Sequence, residues 1–256
     1  MTLSVWDAPA ASLRARLLDL DPDLGTELDE ARRTAAQAVT VAIEDVETGP
    51  WDADGAAAPP GRIGLLVVDG ILLRSHSIGK VISAELLGAG DVIQPSVSGH
   101  ELSLVEARSS WEVVAPARVA VLDMAFLHAA ALRWPEVLVA LFGRTVHRAR
   151  FIAFQLALAH VRRVDDRLLL LFWHLAERWG RVTCEGIVVP LRLKHSVLGM
   201  LVGAQRPTVT TALKHLNEAG TLQRRSGDTW LLTGDPPDAT DLETRPLPPA
   251  GELSPV

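Results

Sequence analysis
Apolar residues recur at alternating four- and three-residue steps at Leu138, Phe142, Thr145, Ala149, Ile152, Leu156 and Ala159. That is the heptad spacing of a coiled-coil seam, and it predicts one long helix over 135–161. Pro135 suits its first turn, where the backbone N–H has no intrahelical partner. A second apolar set (Val139, Val146, Phe151, Phe154 and Leu158) would pack on the chain's own domains. Next, Leu168, Leu169, Phe172, Leu175, Ala176 and Trp179 predict a helix capped by Asp165 or Asp166 and ended by Gly180. Gly186-Ile187-Val188-Val189-Pro190-Leu191 reads as a strand. Leu193, Val197, Leu198, Leu201 and Val202 return to helical spacing, and Gly203-Ala204 breaks it as a tight interhelical turn requires. A further helix starts near Gln205-Arg206-Pro207, with Val209, Ala212, Leu213 and Leu216 as its buried stripe. Two short strand runs, 222–225 and 229–232, then flank a Ser226-Gly227-Asp228 turn, a hairpin pattern.

The first half reads differently. Residues 12–38 look helical, with Leu13, Leu17, Leu18, Leu24 and Leu28 as packing positions. Residues 49–61 have the composition of a loop. Short strand-like runs follow: 62–68, then Asp69-Gly70 as a hairpin turn pair, 71–74, 80–83, 91–93, 102–107, 111–115 and 118–122. Their roughly ten-residue spacing suggests a sandwich or barrel. Asp123 is the expected N-cap of a short helix to about Arg133. After Gly234 the chain is rich in Pro and acid, which predicts disorder.

Charge divides along the same lines. Residues 145–234 hold 13 Lys/Arg against 6 Asp/Glu, whereas residues 1–144 hold 11 against 20 and residues 235–256 hold 1 against 5. The overall net charge of −6 therefore hides a basic module on an acidic body. The single cysteine, Cys184, excludes an intramolecular disulfide, a Cys-ligated iron–sulfur cluster and a zinc ribbon. With no signal-like N-terminus and no apolar run of about 18 residues, the chain is expected to be cytoplasmic, with no membrane partner. His76 and His100 lack ligand spacing and there is no HxH pair, so no metal site and no cupin-type enzyme is expected; nothing supports catalytic residues.

Two short helices joined by a tight turn and followed by a hairpin are a winged helix-turn-helix pattern. Double-stranded DNA is the expected partner, because the outer side of the second helix carries Arg206, Thr208, Thr210, Thr211 and Lys214 and no carboxylate before Glu218. An Arg can grip a guanine edge there, and a Thr can contact phosphate or a thymine methyl. Gln205, Arg206, Thr208, Thr210, Thr211 and Lys214, with Arg224 and Arg225 of the hairpin, are thus the candidate DNA-binding residues. A winged helix that binds protein instead, as an adaptor or ligand-binding dimer, is the alternative.

This α+β order of elements resembles the Crp/Fnr superfamily of bacterial transcription regulators. Leu86-Leu87-Gly88-Ala89-Gly90-Asp91-Val92-Ile93 is similar to a segment of its cyclic-nucleotide-binding-type β-roll. Val202-Gly203, Arg206, Thr208-Val209, Leu213-Lys214 and Leu216 resemble its DNA-reading helix pair. The resemblance implies a jelly-roll-like β-roll sensor over 39–134 after an N-terminal helical segment 1–38. It also implies a dimerisation helix 135–161 and a winged helix-turn-helix 162–234; the disordered tail 235–256 is read from composition alone. It implies a homodimer through the seam at Leu138, Phe142, Thr145, Ala149, Ile152, Leu156 and Ala159, with one recognition helix per half of a palindrome and RNA polymerase as a partner.

Two departures stand out. Where many members carry Glu and a second Arg in the recognition helix, this chain has Pro207 and Thr211. Nucleotide binders of the family use a Gly-Glu pair, whose Glu holds ribose, and an Arg-Ser/Thr pair, whose Arg holds the cyclic phosphate. Here Gly99-His100-Glu101 splits the first pair and Arg108-Ser109-Ser110 resembles the second, so Glu101, Arg108 and Ser109 are the ligand-binding candidates. Gln94-Pro95-Ser96 replaces the usual start of the binding helix. With the cassette broken between Ile93 and Arg108, no cofactor is expected, and a cyclic nucleotide should bind weakly if at all.

Overall fold
The computed structural model describes residues 13–57, 61–94 and 107–238. His100, Glu101, most of the expected strand 102–107 and most of the acidic tail lie outside them. The chain forms two compact units: one runs to Val81 and resumes over Glu85–Phe151, and the other takes Ile82–Ala84 and everything from Ile152.

The first unit contains β1 (Arg14–Arg16), α1 (Leu17–Leu20), α2 (Glu30–Ala36), β2 (Thr40–Val46), β3 (Gly49–Trp51) and α3 (Ala53–Ala57). It continues with β4 (Arg62–Ile78), β5 (Val81–Gly88), β6 (Val92–Ile93), β7 (Ala107–Asp123), α4 (Met124–Arg133) and the start of α5 (Pro135–His160). The continuous helix suggested for 12–38 is broken. Arg14–Arg16 pairs with β2, and Pro22, which cannot donate to α1, opens a separate 3-10 turn. Asp29 then caps α2 by accepting from the Arg32 N–H at 2.8 Å.

Strands β4 and β7, each 17 residues, pair antiparallel from Arg62↔Asp123 to Ile78↔Ala107. The sheet order is β1-β2-β7-β4-β5, with β3 on β7 and β6 on β4. The hairpin expected at Asp69-Gly70 is instead a bulge within β4, since residues on both sides pair with the same strand. Gly70 has φ +91°, and a Cβ there would lie 2.4 Å from Ala117 Cα. Likewise 111–115 and 118–122 are one strand. Leu65, Val67, Val119 and Val121 enter one apolar core. Their neighbours Leu66, Ala120 and Leu122 enter another, with Leu17, Leu18, Phe126, Val137 and Leu141. Both faces are buried there, so the strands read as unbroken apolar runs.

Charges are built into this unit as well. Asp91 turns β5 into β6 by accepting from the Gly88 N–H at 2.8 Å. Arg144 reaches Asp21 at 3.2 Å and Asp23 at 3.4 Å; it passes so close to Gly90 that a Cβ there would lie 2.8 Å from its Nη1. Burial raises the Asp21 carboxyl above its ordinary value, with Arg144 opposing.

The second unit adds α6 (Val164–Trp179), β8 (Arg181–Thr183), β9 (Gly186–Val189), α7 (His195–Val202), α8 (Arg206–Glu218), β10 (Leu222–Arg224) and β11 (Trp230–Leu232). Its sheet order is β10-β11-β9-β8. Leu168, Leu171, Phe172 and Leu175 of α6 are fully buried, and the Phe172 ring meets Trp230 at 4.9 Å between centroids. Asp165 and Asp166 do not cap α6. The cap position is Arg163, without a side-chain bond, and the two carboxylates in the first turn face Arg163 at 3.1 and 3.7 Å.

Helix α5 exposes an apolar face. Phe142 and Leu156 are 68 % and 66 % exposed, and Thr145, Ala149, Ile152 and Ala159 are exposed with them. Two corrections to the expected seam follow. Leu138 is partly buried against the unit's own core. Val139 and Val146 are exposed, not packed on the chain's own domains, because they sit three residues before and four after Phe142 and so share its face. Phe151 and Leu158 are buried, and Phe154 stacks on His174 at 5.0 Å. Among the described residues no single helix is long and apolar enough to cross a membrane.

Candidate nucleic-acid interface
The helix pair is set by two glycines with different reasons. Gly203 ends α7 in the left-handed conformation, φ +64°. Gly199, inside α7, lets the chain double back tightly: a Cβ there would lie 2.5 Å from Ala204 O. Val197, Leu198, Leu201 and Val202 of α7 and Val209, Ala212, Leu213 and Leu216 of α8 are buried. That locks α8 so that Gln205, Arg206, Thr208, Thr210, Thr211 and Lys214 are all exposed.

The exposed residues differ in how free they are. Thr210 donates to Arg206 O at 3.0 Å and Thr211 to Pro207 O at 3.3 Å. These hydroxyl protons are used within the helix, leaving methyl groups and lone pairs to face outward. Lys214 has Glu218 at 3.7 Å, Arg224 has Asp228 at 2.7 Å, and Arg225 pairs with Glu185. All these groups are exposed, so the pairs are weak and exchangeable for phosphate. Among the described residues no carboxylate pairs with Arg206.

The wing places its cations through backbone conformation and one buried ring. Gly227 and Asp228 both take left-handed φ, +78° and +62°, at its tip. Trp230 is 2 % exposed at its base, and the Arg224 guanidinium lies 5.8 Å from its ring centroid. Behind α8, Arg167 of α6 donates to Val161 O at 2.6 Å, Val202 O at 3.2 Å and Gly203 O at 3.3 Å. His215 of α8 meets Asp165 at 3.3 Å.

One residue of this surface escaped the sequence reading. His195, at the start of α7, has its Nδ1 2.9 Å from Thr210 Oγ1. Burial, and then the charges of Arg224 and Arg206, hold its imidazolium below the ordinary histidine value. Its only sequence mark is its place on the first turn of the first helix of the pair.

In the first unit, Arg108 and Ser109 are exposed on β7, opposite Ser77 and His76 of β4, and Ser109 Oγ lies 3.0 Å from His76 Nδ1. Glu101, the third ligand-binding candidate, lies outside the described residues. What sequence reasoning missed is Glu85, 5 % exposed. It accepts from Arg148 of α5 at 2.5 and 3.0 Å, with Arg74 at 3.9 Å. A lone Glu in an apolar strand was the available clue. Among the described residues no group of three or more His, Cys, Asp or Glu side chains could hold a metal ion.

Residues 163–235 match the Crp-like helix-turn-helix domain family. The regulatory protein CysR of Synechococcus elongatus is 28 % identical over 173 residues, 65 % of this chain and 75 % of CysR. The fold is similar to a CooA mutant from Carboxydothermus hydrogenoformans, with a TM-score of 0.60 at 14 % identity over 90 % of this chain and 94 % of that one. It is also similar to a cyclic nucleotide-binding domain containing protein from Listeria monocytogenes, with a TM-score of 0.58 at 16 % identity over 75 % and 88 %. Residues 163–235 are thus a Crp-like helix-turn-helix domain, a DNA-binding module of transcription regulation, in a chain whose fold is similar to that of CooA.

Proposed function
We propose that this chain is a sequence-specific transcription regulator that acts as a homodimer on a palindromic DNA site. Arg206 reads a base in each half-site, while Lys214, Arg224 and Arg225 hold phosphates, exchanging their present carboxylate partners for the DNA backbone. Gln205 and Thr208 supply further contacts at the first turn of α8. The observation that carries the reading is Arg206 itself: exposed, on the first turn of the second helix of a Crp-like pair, with no carboxylate pairing it among the described residues. The exposed apolar face of α5, with Phe142 and Leu156 about two-thirds in solvent, supports the dimer. A lone surface helix has no reason to keep such a heptad stripe.

The sensor unit does not act as a cyclic AMP receptor. Selecting bound DNA from a random pool, with and without cyclic AMP and cyclic GMP, tests all of this. A two-fold symmetric motif recovered without nucleotide is expected. Affinity should fall steeply with salt, since several phosphates are neutralised per half-site. An absence of salt-sensitive DNA binding would reject the proposal in favour of a protein-binding winged helix.

A further inference from the structure
We propose that His195 is a proton-linked DNA contact, which holds a backbone phosphate as the imidazolium and gives up its proton when the DNA leaves. The inference rests on the DNA-reading role of α8 proposed above, and it adds a residue and a pH dependence to it.

Hydrogen-bond bookkeeping fixes which nitrogen titrates. The Thr210 hydroxyl has one proton, and Thr210 donates it to Arg206 O at 3.0 Å. Toward His195, 2.9 Å away, Thr210 Oγ1 can therefore only accept. The Nδ1 position of His195 carries a hydrogen in both protonation states, and Nε2 is the atom that gains or loses one. The ring is thus oriented by the reading helix itself, with a single titrating atom left for an outside partner.

The surroundings set the sign. Facing His195 are Arg206 and Thr210 from α8 and Arg224 from β10, the last paired with Asp228, with Lys194 as its chain neighbour. No carboxylate is among the groups acting on it. In the free protein, burial and two guanidinium charges disfavour the imidazolium. A DNA phosphate brought in by Arg206 and Arg224 reverses that field, because an anion close by favours the charged form. Binding then takes up a proton, and by linkage DNA affinity rises as pH falls through the range where the bound-state imidazolium forms. Phosphodiesters do not titrate in that range.

The test is DNA affinity of the full chain, by fluorescence anisotropy at constant ionic strength from pH 8 to pH 6, on the sequence recovered by selection. Wild type should tighten by about three- to tenfold per half-site, the size set by uptake of up to one proton. His195→Asn keeps an N–H donor at the Nδ1 position but cannot titrate; it should bind more weakly at pH 6 and lose the pH dependence. His195→Arg, permanently charged, should also be flat with pH but tighter than His195→Asn at pH 8. His215→Asn should leave the pH dependence in place. Salt-sensitive DNA binding by wild type that is flat with pH would overturn the proposal alone, as would a dependence that survives in His195→Asn. No salt-sensitive DNA binding at any pH would overturn both this proposal and the DNA-reading role beneath it.

Discussion
In the proposed DNA contact, single residues on α8 divide into readers and holders, and mutations should separate the two. Arg206→Ala should cost about 1–3 kcal/mol and relax preference at one base pair. Lys214→Ala should weaken binding to all sequences alike and lower the salt slope by about 1. Repeating the selection and the salt titration with each variant checks both outcomes, and an unchanged selected motif for Arg206→Ala would reject its role. Gly199→Ala puts a methyl against the Ala204 carbonyl, where a Cβ would lie only 2.5 Å away. The helix-turn-helix should lose about 1–3 kcal/mol to that overpacking, visible as a lower Tm. Arg206 was legible in the sequence because its neighbours Val209, Ala212 and Leu213 announce the helix and its face. His195 was not, because its meaning comes from Thr210, fifteen residues on, and periodicity says nothing of side chains that meet across a turn.

Among the elements, α5 and the paired strands β4 and β7 were legible to different degrees. The heptad pattern revealed α5 and its opening at Pro135. It placed Phe142, Thr145, Ala149, Ile152, Leu156 and Ala159 on the exposed face but took Leu138 for Val139 at its start, since the two are equally apolar letters and only packing tells them apart. Strands β4 and β7 were read as several short pieces because Gly70 and Pro116 look like punctuation. In the fold Gly70 serves a bulge, and β7 runs through Pro116 without ending. The same burial on both faces removed the alternation that marks a strand. The face of α5 also carries a prediction. Ile152→Asp and Phe142→Asp each put an unpaired charge into the proposed seam, which is costly once that seam is buried. Sedimentation should show monomers and DNA affinity should collapse, whereas an intact dimer in both variants would place the interface elsewhere.

At the scale of the whole molecule, the first unit holds an ion pair in its interior. Glu85, nearly out of solvent, is already gripped by Arg148. Breaking that pair with Arg148→Met leaves the buried carboxylate with only Arg74 at 3.9 Å and should cost about 3 kcal/mol, read by denaturant unfolding. Calorimetry should detect no micromolar binding of cyclic AMP or cyclic GMP. Tight binding abolished by Arg108→Ala would restore the nucleotide site. Arg167 has a different consequence. One planar group clasps the carbonyl just past the end of α5 and two carbonyls at the reading turn. It acts as a splint across the junction between the helix of the proposed dimer seam and the reading turn. In a homodimer, the stiffness of that splint sets how far apart two reading helices can stray. On the proposed dimer, the tolerated gap between half-sites should then depend on this side chain. Arg167→Lys, a point charge in place of a rigid fork, should widen the range of half-site spacings recovered in selection while leaving each half-site's sequence unchanged.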